Sequence, residues 1–504
     1  MRSMNGPLYI AIDLGAGSGR VFLAGPDADE FFLEEVHRFR YPPYFDGRFL
    51  RWNFRMIFDE LTAGLRLAGI RSLDLGRLIK SIGVDSWAVD YGLVDADGRL
   101  LGDPICYRDG RTDDALKRVF AIVPRDEIFD DTGIQFQKFN TLYQLFSEDG
   151  GDGASMLLLL PDLINYFLTG KARAEYTNAT TTQIVNARTG DWDIDLIDRL
   201  NLPRRLLQTI VPAGSSLGAL LPNIAEETGL DDVIVIAPAT HDTASAVAAA
   251  PLTDGSAYIS SGTWSLIGIE RGTPLITPEA SQLNFTNEGG VSNTFRFLKN
   301  VMGLWIFESC RNEWEVAGSS AGYEALIADA EAINGFPGFI FPDDERFLNP
   351  ESMVEAIDTQ LAETGQKTES DPAIITKIIF DSLAFRYASV LRSIELLTDV
   401  KLERIEILGG GGRNRYLNQA TANATGLRVR SGLTEATVVG NVLVQAIASE
   451  RFSSLSDARA YVASRIDFKE FFPQAVPGLD EAEAQYLEIE EQLRTRSAEQ
   501  VAAK

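Results

Sequence analysis

A carboxylate and an imidazole stand side by side in the segment Thr240-His241-Asp242-Thr243. This segment follows residues 233–238, an apolar run that is typical of a buried strand. Because ligands of α/β proteins bind beyond the carboxyl ends of strands, Asp242 is placed to take the proton of an attacking hydroxyl during phosphoryl transfer. Asp242 also precedes a predicted helix, so a structural role as its N-cap is equally open on these residues alone.

Glycine-rich segments follow three other predicted strands, at residues 15–20, at Gly262-Thr263 and at residues 409–412. Such segments let backbone N–H groups approach phosphate oxygens. The first one has neither the G-x-G-x-x-G spacing of a dinucleotide site nor the Gly-Lys-Ser/Thr of a P-loop, which leaves a phosphate-holding hairpin turn or a plain turn. Asp13, just before it, is a candidate to hold Mg²⁺ through water or to cap the turn.

The elements that must position these residues alternate between strand and helix, which predicts an α/β fold. Strands are predicted at residues 8–14, 21–24, 31–39, 79–85, 88–94, 233–238, 257–261, 265–270, 405–408 and 427–430. Helices are predicted at residues 57–67, 156–168, 244–250, 371–397, 415–424 and 434–448, and from about residue 481.

One pattern recurs after about 250 residues. A strand containing Tyr9-Ile10, a glycine turn and a second strand are echoed by a strand containing Tyr258-Ile259, the turn at Gly262-Thr263 and a following strand. The echo is either a chance match or the sign of two domains with related folds that meet near residue 250 and offer one turn each to the same ligand.

Composition excludes several classes of protein. The 504 residues carry 46 Lys and Arg against 72 Asp and Glu, a net charge of −26, which argues against binding to nucleic acid or to an anionic membrane surface. Two cysteines and two histidines make a disulfide scaffold or a zinc site improbable and fit a reducing compartment. No leader peptide or membrane-spanning run is recognisable, so we expect a cytoplasmic protein.

Several stretches resemble the FGGY carbohydrate kinases, in the family's order, from residue 8 to about residue 450. The most specific are Thr-Asn-Ala-Thr-Thr-Thr-Gln at 177–183, His-Asp-Thr-Ala-Ser-Ala-Val at 241–247 and Ser-Ser-Gly-Thr-Trp-Ser at 260–265. The resemblance implies an α/β fold of two actin-like (ribonuclease H-like) domains with a ligand cleft between them. Residues 1–247 would form the N-terminal domain, which contacts the sugar and the ATP phosphates, and residues 248–504 the C-terminal, nucleotide-binding domain.

The resemblance also implies an activity, namely ATP-dependent phosphorylation of L-rhamnulose at its 1-hydroxyl, with Asp242 as general base and Mg²⁺ as cofactor. By residue match, the sugar would contact Ala88, His241, Asp242, Thr243 and Asn300. ATP would contact Ala16, Gly17, Ser18, Gly19, Arg20, Thr263, Glu308, Gly410 and Gly411. The expected partners are a ketose and ATP, with no nucleic acid and no membrane, and the expected assembly is a monomer or a homodimer.

Two alternatives remain at this point. The chain could phosphorylate another ketose, such as L-fuculose or L-xylulose, because Ala88 adds a methyl group to the predicted sugar pocket. It could instead be a non-catalytic sensor of sugar or nucleotide on the same fold, a hypothesis favoured only by Glu308, which places a negative charge near the predicted nucleotide.

Overall fold

The computed structural model of the chain describes residues 6–148, 151–318 and 322–503, with side chains up to residue 496. It divides into two compact units. Unit 1 comprises Met1–Pro251, Glu270–Leu298 and Glu435–Ile466, and unit 2 comprises Leu252–Ile269, Lys299–Thr434 and Asp467–Lys504. Each unit is therefore assembled from three separate stretches of the chain.

The strands of the described residues are β1 (Leu8–Gly15), β2 (Ser18–Pro26), β3 (Phe31–Arg40), β4 (Tyr44–Phe45), β5 (Leu50–Arg51), β6 (Ile79–Ser86), β7 (Tyr91–Asp95), β8 (Ala154–Leu159), β9 (Ala174–Glu175), β10 (Ile210–Val211), β11 (Ser215–Ala219), β12 (Ile234–Ala237), β13 (Ser256–Ser261), β14 (Trp264–Arg271), β15 (Thr286–Gly289), β16 (Phe295–Met302), β17 (Arg404–Leu408), β18 (Arg428–Leu433) and β19 (Lys469–Phe471).

The helices of the described residues are α1 (Phe54–Leu75), α2 (Ala115–Phe120), α3 (Arg125–Thr132), α4 (Thr141–Phe146), α5 (Leu160–Thr169), α6 (Tyr176–Ala179), α7 (Ile194–Arg199), α8 (Pro222–Thr228), α9 (Asp242–Ala249), α10 (Pro278–Gln282), α11 (Trp305–Val316), α12 (Tyr323–Ala332), α13 (Met353–Glu363), α14 (Pro372–Thr398), α15 (Arg415–Thr425), α16 (Ala436–Ala448), α17 (Leu455–Ala463) and α18 (Leu479–Ala503).

Unit 1 is built on a six-stranded sheet with the order β11-β12-β6-β1-β2-β3. The central strand β1 pairs antiparallel with β2 and parallel with β6. Its residues from Leu8 to Leu14 are buried, and α1 and α16 are among the helices that contact the sheet. A strand covered on both faces reads as a continuous apolar run, which is why β1 could be recognised in the sequence.

Helices α9 and α16 of unit 1 pack closely because small residues line their contact. A Cβ atom on Gly440 of α16 would overlap the carbonyl oxygen of Ser245 in α9. The run of small residues that the sequence places after Thr243 is thus a packing surface that lets two backbones approach each other.

Unit 2 repeats the central arrangement of unit 1 in its own sheet, where the strand order includes β14-β13-β17-β18-β19. Strand β13 pairs antiparallel with β14 and parallel with β17, as β1 pairs with β2 and β6. Both hairpins that the sequence predicts are therefore present, each with a parallel strand on its other side. The N-cap residue of the long helix α14 is Asp371, whose side chain accepts a hydrogen bond from the Ala373 N–H.

Two predicted elements are wrong in part. Residues 156–168 form the end of strand β8 and then helix α5, which starts at Leu160 with Pro161 in its first turn. A short apolar run fits a strand or a helix, and pairing with β7 decides for a strand up to Leu159. The strand predicted at residues 88–94 begins only at Tyr91, because Val89 has a positive φ of 71° that breaks extended pairing.

None of the helices in the described ranges combines the length and the apolar character that a membrane span requires.

Candidate active site

Carboxylates gather where strands of the unit 1 sheet end. Asp13 of β1 and Asp85 of β6 are direct partners in the parallel ladder. The next residue, Ser86, forms a β-bridge with His241, and its N–H donates to the Thr240 carbonyl at 2.9 Å. The residue after His241 is Asp242, so the carboxyl ends of β1 and β6 and the start of α9 bring three acidic side chains to one edge of the sheet.

Asp242 is the first residue of α9, while His241 occupies the N-cap position. The expectation that Asp242 could itself be the N-cap is therefore wrong. Its Oδ1 accepts hydrogen bonds from the Thr243 N–H at 2.5 Å and from the Thr243 hydroxyl at 3.1 Å. Shielding from solvent raises the pKa of Asp242 to about 7, and the nearby Asp13 also raises it. Because 31% of the side chain remains exposed, this carboxylate can reach a bound molecule.

Asp85 is a site residue that the sequence reasoning missed. Its side chain is fully buried, and the Asn441 amide donates to Oδ2 at 2.5 Å. Its Oδ1 has no hydrogen-bond partner among the described residues. Burial raises the pKa of Asp85 well above its usual range, and Asp13 and Asp242 add to this. A carboxylate at the end of an apolar strand, as for Asp13, was the signal that could have found it.

Arg20 lies beside these acids, held between two carboxylates. Its guanidinium donates to Asp13 and, at 2.5 Å, to Glu435. These contacts place a fixed positive charge next to the turn between β1 and β2, which limits the repulsion among the acids.

The predicted phosphate loop is a tight hairpin turn with Ala16 and Gly17 at its tip. Gly17 has a φ of 135°, a conformation that favours glycine, and Ala16 is exposed. The Tyr41 hydroxyl anchors the turn by donating to the Gly15 carbonyl at 2.5 Å and lies 3.1 Å from that of Ser18.

Gly19 differs from its neighbours, because it is buried in β2 and a Cβ atom there would overlap the Phe39 ring. Packing is therefore a sufficient reason for this glycine, independent of any phosphate.

Ala88 lies half-buried in the segment between β6 and β7, next to the strained Val89. The buried carboxylate of Asp90 accepts hydrogen bonds from the indole N–H groups of Trp52, at 2.7 Å, and Trp87, at 2.9 Å. Burial raises the pKa of Asp90 to about 6. Asp90 thus fixes the backbone that carries Ala88, a role that depends in part on the distant Trp52 and was not predicted.

A buried glutamate fixes the segment that carries His241, Asp242 and Thr243. Oε2 of Glu175 accepts hydrogen bonds from both the N–H and the hydroxyl of Thr240, each at 3.0 Å. Since the β-bridge between Ser86 and His241 also ties this segment to β6, His241, Asp242 and Thr243 are held at the sheet edge.

In unit 2, the exposed residues Gly262 and Thr263 form the turn between β13 and β14. Their carbonyls accept hydrogen bonds from Leu304 at 2.9 Å and from Gly303 at 3.1 Å, which ties the turn to the start of α11. Asn300 is half-buried on β16. These predicted residues belong to unit 2, whereas Asp13, Ala88 and Asp242 belong to unit 1.

Gly410 and Gly411, in the glycine run after β17, differ in burial and in the space around them. Gly411 is buried, and a Cβ atom there would overlap the side chain and approach the backbone of Ser261, whereas Gly410 is exposed with nothing near its missing Cβ. Neither has a positive φ.

We expect Gly411→Ala to lower the stability of the protein by about 1–3 kcal/mol through overpacking, and Gly410→Ala to change it by less than about 0.5 kcal/mol. Urea unfolding of the two variants checks this. Equal midpoints for both would mean that Gly411 does not pack as described.

Glu308 lies on α11, where its Oε2 is 2.7 Å from Nη2 of Arg311 on the same face of the helix. The negative charge that favoured a non-catalytic sensor is therefore partly neutralised within the helix.

No group of three or more His, Cys, Asp or Glu side chains in the described part of the chain is arranged as a metal site. Mg²⁺ is commonly held by one or two carboxylates, waters and substrate phosphates, and carboxylates of this kind are present in Asp13 and Asp85.

Comparison with known proteins gives a consistent picture. Residues 8–249 match the N-terminal domain of the FGGY family of carbohydrate kinases, and residues 257–449 match its C-terminal domain. A protein named rhamnulokinase from Oceanobacillus iheyensis is 41% identical over 463 residues, which cover 91% of this chain and 97% of the relative. Another, from Bacteroides thetaiotaomicron, is 39% identical and covers 94% and 97%.

Solved structures resemble the chain in fold. A xylulose kinase from Lactobacillus acidophilus aligns with a TM-score of 0.77 and 16% identity over 98% of both chains. A Plasmodium falciparum glycerol kinase with ADP aligns with a TM-score of 0.75 and 15% identity, covering 97% of this chain and 98% of the other. The predicted fold class, α/β with two actin-like (ribonuclease H-like) domains, is confirmed.

Proposed function

The chain belongs to the FGGY family of carbohydrate kinases, and we propose that it transfers the γ-phosphoryl group of ATP to the 1-hydroxyl of L-rhamnulose, giving L-rhamnulose 1-phosphate and ADP. The observation that carries this choice of sugar is the similarity to proteins named rhamnulokinase, 39% and 41% identical over more than nine-tenths of the chain. The xylulose kinase structure, at 16% identity, supports the fold alone.

Asp242 is the general base in this proposal. Its carboxylate is partly exposed at the sheet edge, and its raised pKa matches a base that works near neutral pH. The carboxylate takes the proton of the 1-hydroxyl while the sugar oxygen attacks the phosphorus of the γ-phosphoryl group. Ala88, His241 and Thr243, with Asn300 of unit 2, are the other proposed sugar contacts.

Mg²⁺ fits the acidic edge of the unit 1 sheet, because Asp85 has a buried oxygen without a hydrogen-bond partner in the described residues and Asp13 lies beside it. We propose Asp13, through water, and Asp85 as the residues that would hold the ion. When bound, Mg²⁺ would neutralise phosphate charge.

The nucleotide would be bound by the two glycine turns and the glycine run. Ala16, Gly17, Ser18, Gly19 and Arg20 would contact its phosphates, and Thr263, Glu308, Gly410 and Gly411 would also contact ATP. In this proposal residues 1–247 contact the sugar and the ATP phosphates, and residues 248–504 bind the nucleotide. The protein is proposed to be a cytoplasmic monomer or homodimer.

The pKa of about 7 for Asp242 leads to a pH prediction. A base must be deprotonated to act, so raising the pH removes the inhibitory proton. At saturating Mg–ATP, kcat/KM for the ketose should rise about tenfold per pH unit below pH 7 and level off above it. Asp13→Asn should move the midpoint to lower pH, because the Asp13 charge raises this pKa. A profile with its midpoint near pH 4 would contradict the assignment.

Product analysis tests the proposed reaction. L-Rhamnulose and Mg–ATP are incubated with the protein, and ³¹P–¹H correlation spectra identify the carbon that carries the new phosphate. We expect one phosphate ester on the C1 methylene for each ADP formed. A phosphate on another carbon, or no sugar-dependent ADP, would overturn the proposal.

A further inference from the structure

The imidazole of His241 rests against a fully buried arginine in unit 1. Nη2 of Arg296 lies 3.1 Å from Nδ1 of His241. A guanidinium carries only hydrogen-bond donors, so Nδ1 of the histidine must be the acceptor and cannot carry a proton. The histidine proton then sits on Nε2, whose distance to Oδ1 of Asp242 is 3.5 Å.

Arg296 is itself held in place by backbone and charge. Its Nε donates to the Gly289 carbonyl at 3.0 Å, and its Nη1 lies 3.1 Å from Oε2 of Glu288. Glu288 and Arg296 face each other in the antiparallel pair of β15 and β16, so the sheet register fixes their contact. Because Glu288 is also buried, the positive charge of Arg296 is balanced next to the imidazole.

Glu288 offers the histidine a competing partner, since its Oε2 lies 3.5 Å from Nδ1. That distance is long for a hydrogen bond, whereas the arginine contact is within range. Burial, and to a smaller extent the positive charge of Arg296, lowers the pKa of His241 well below its usual value. The imidazole is thus neutral at physiological pH, in agreement with the geometry.

We infer that Arg296 and Glu288 are positioning residues that hold His241 as the neutral tautomer protonated at Nε2, so that it donates a hydrogen bond to an oxygen of the sugar whose hydroxyl Asp242 deprotonates. The inference rests on the proposed function for the identity of that acceptor. A neutral imidazole also leaves Asp242 basic, whereas an imidazolium at this distance would favour the carboxylate and weaken it as a base.

A merely structural ion pair between Arg296 and Glu288 would stabilise unit 1 without setting the tautomer of His241. The two roles differ in a spectroscopic readout that needs neither substrate nor activity. The chain has only two histidines, and His37 lies on β3, where its Nε2 contacts Glu60 at 2.7 Å. In a His37→Gln background, ¹⁵N-labelled histidine reports on His241 alone.

We expect the ¹⁵N spectrum of the His37→Gln protein to have an unprotonated Nδ1 and a protonated Nε2 from about pH 6 to pH 8. Arg296→Met should shift the proton toward Nδ1, with Glu288 as its acceptor, or produce an imidazolium. Arg296→Lys, which keeps a donor, should preserve the original tautomer in part. A protonated Nδ1 in the parent protein, or a spectrum that Arg296→Met leaves unchanged, would overturn the inference.

A second pair of variants keeps the test available if Arg296→Met does not fold. The Gln amide nitrogen in His241→Gln lies near the position of Nε2, whereas that in His241→Asn lies near Nδ1. We expect His241→Asn to lower kcat/KM for the ketose about tenfold more than His241→Gln, because only Gln retains the donor. Equal losses in both would contradict a donor role for Nε2. The expected ¹⁵N spectrum is the same whether or not L-rhamnulose is the substrate, so this test and the test of the proposed function can fail separately.

Discussion

Asp242→Asn is expected to lower kcat for the ketose by about 10³-fold, within the range that a positioned general base contributes. The amide has nearly the shape of the carboxylate and still accepts the Thr243 N–H bond, so folding should be preserved. The affinity for ATP should change little, because the proposed base touches the sugar and not the nucleotide. Steady-state kinetics with a binding measurement for Mg–ATP separate the two effects.

Asp193→Asn is the matched control. Asp193 caps α7 by accepting the Leu196 N–H at 2.9 Å, and Asn caps a helix equally well. We expect kcat of this variant to equal that of the parent. If Asp242→Asn retains kcat within about threefold of the parent, Asp242 is not the base.

Asp85→Asn should make the protein more stable and less active at once. Burial and the neighbouring acids disfavour the charged form of Asp85, and Asn removes that repulsion while keeping an oxygen for the Asn441 amide. We expect about 1 kcal/mol of added stability and a 10- to 100-fold loss of kcat at limiting Mg²⁺, because a proposed ligand of the ion is weakened. Urea unfolding and Mg²⁺ titrations of the rate measure both effects.

Asp162→Asn serves as the comparison for Asp85→Asn. Asp162 is also buried, with a pKa raised by burial and by the nearby Glu175, but it lies on α5 and is not a proposed ligand of Mg²⁺. This variant should gain stability and keep its Mg²⁺ dependence. A loss of stability in Asp85→Asn, with unchanged activity, would mean that Asp85 is not a ligand of Mg²⁺.

The site residues that could be predicted are those that lie directly after a recognisable strand or within a recognisable turn. Asp242 follows an apolar strand, and the turn after β1 contains Gly17, whose φ of 135° favours glycine. Both hairpins also follow from short patterns of strand and turn residues.

The residues that sequence reasoning missed act through distant partners. Asp85 becomes a site residue because β6 pairs with β1, and Asp90 because the indole of Trp52 reaches it from 38 residues away in the chain. Arg296 meets His241 from a position 55 residues away in the chain. Such contacts depend on topology, which local patterns do not encode.

The division at residue 247 stays a prediction, and residues 435–466 group with unit 1 although they lie near the C-terminal end.

The most direct measurement of the central claim is ADP release from Mg–ATP with L-rhamnulose, compared with L-fuculose, L-xylulose, D-xylulose, glycerol and no sugar. We predict the highest kcat/KM for L-rhamnulose and only background release without sugar. A higher kcat/KM for another ketose would keep the fold and the mechanism but refute the substrate. Folded protein without any sugar-stimulated release would contradict the kinase activity itself.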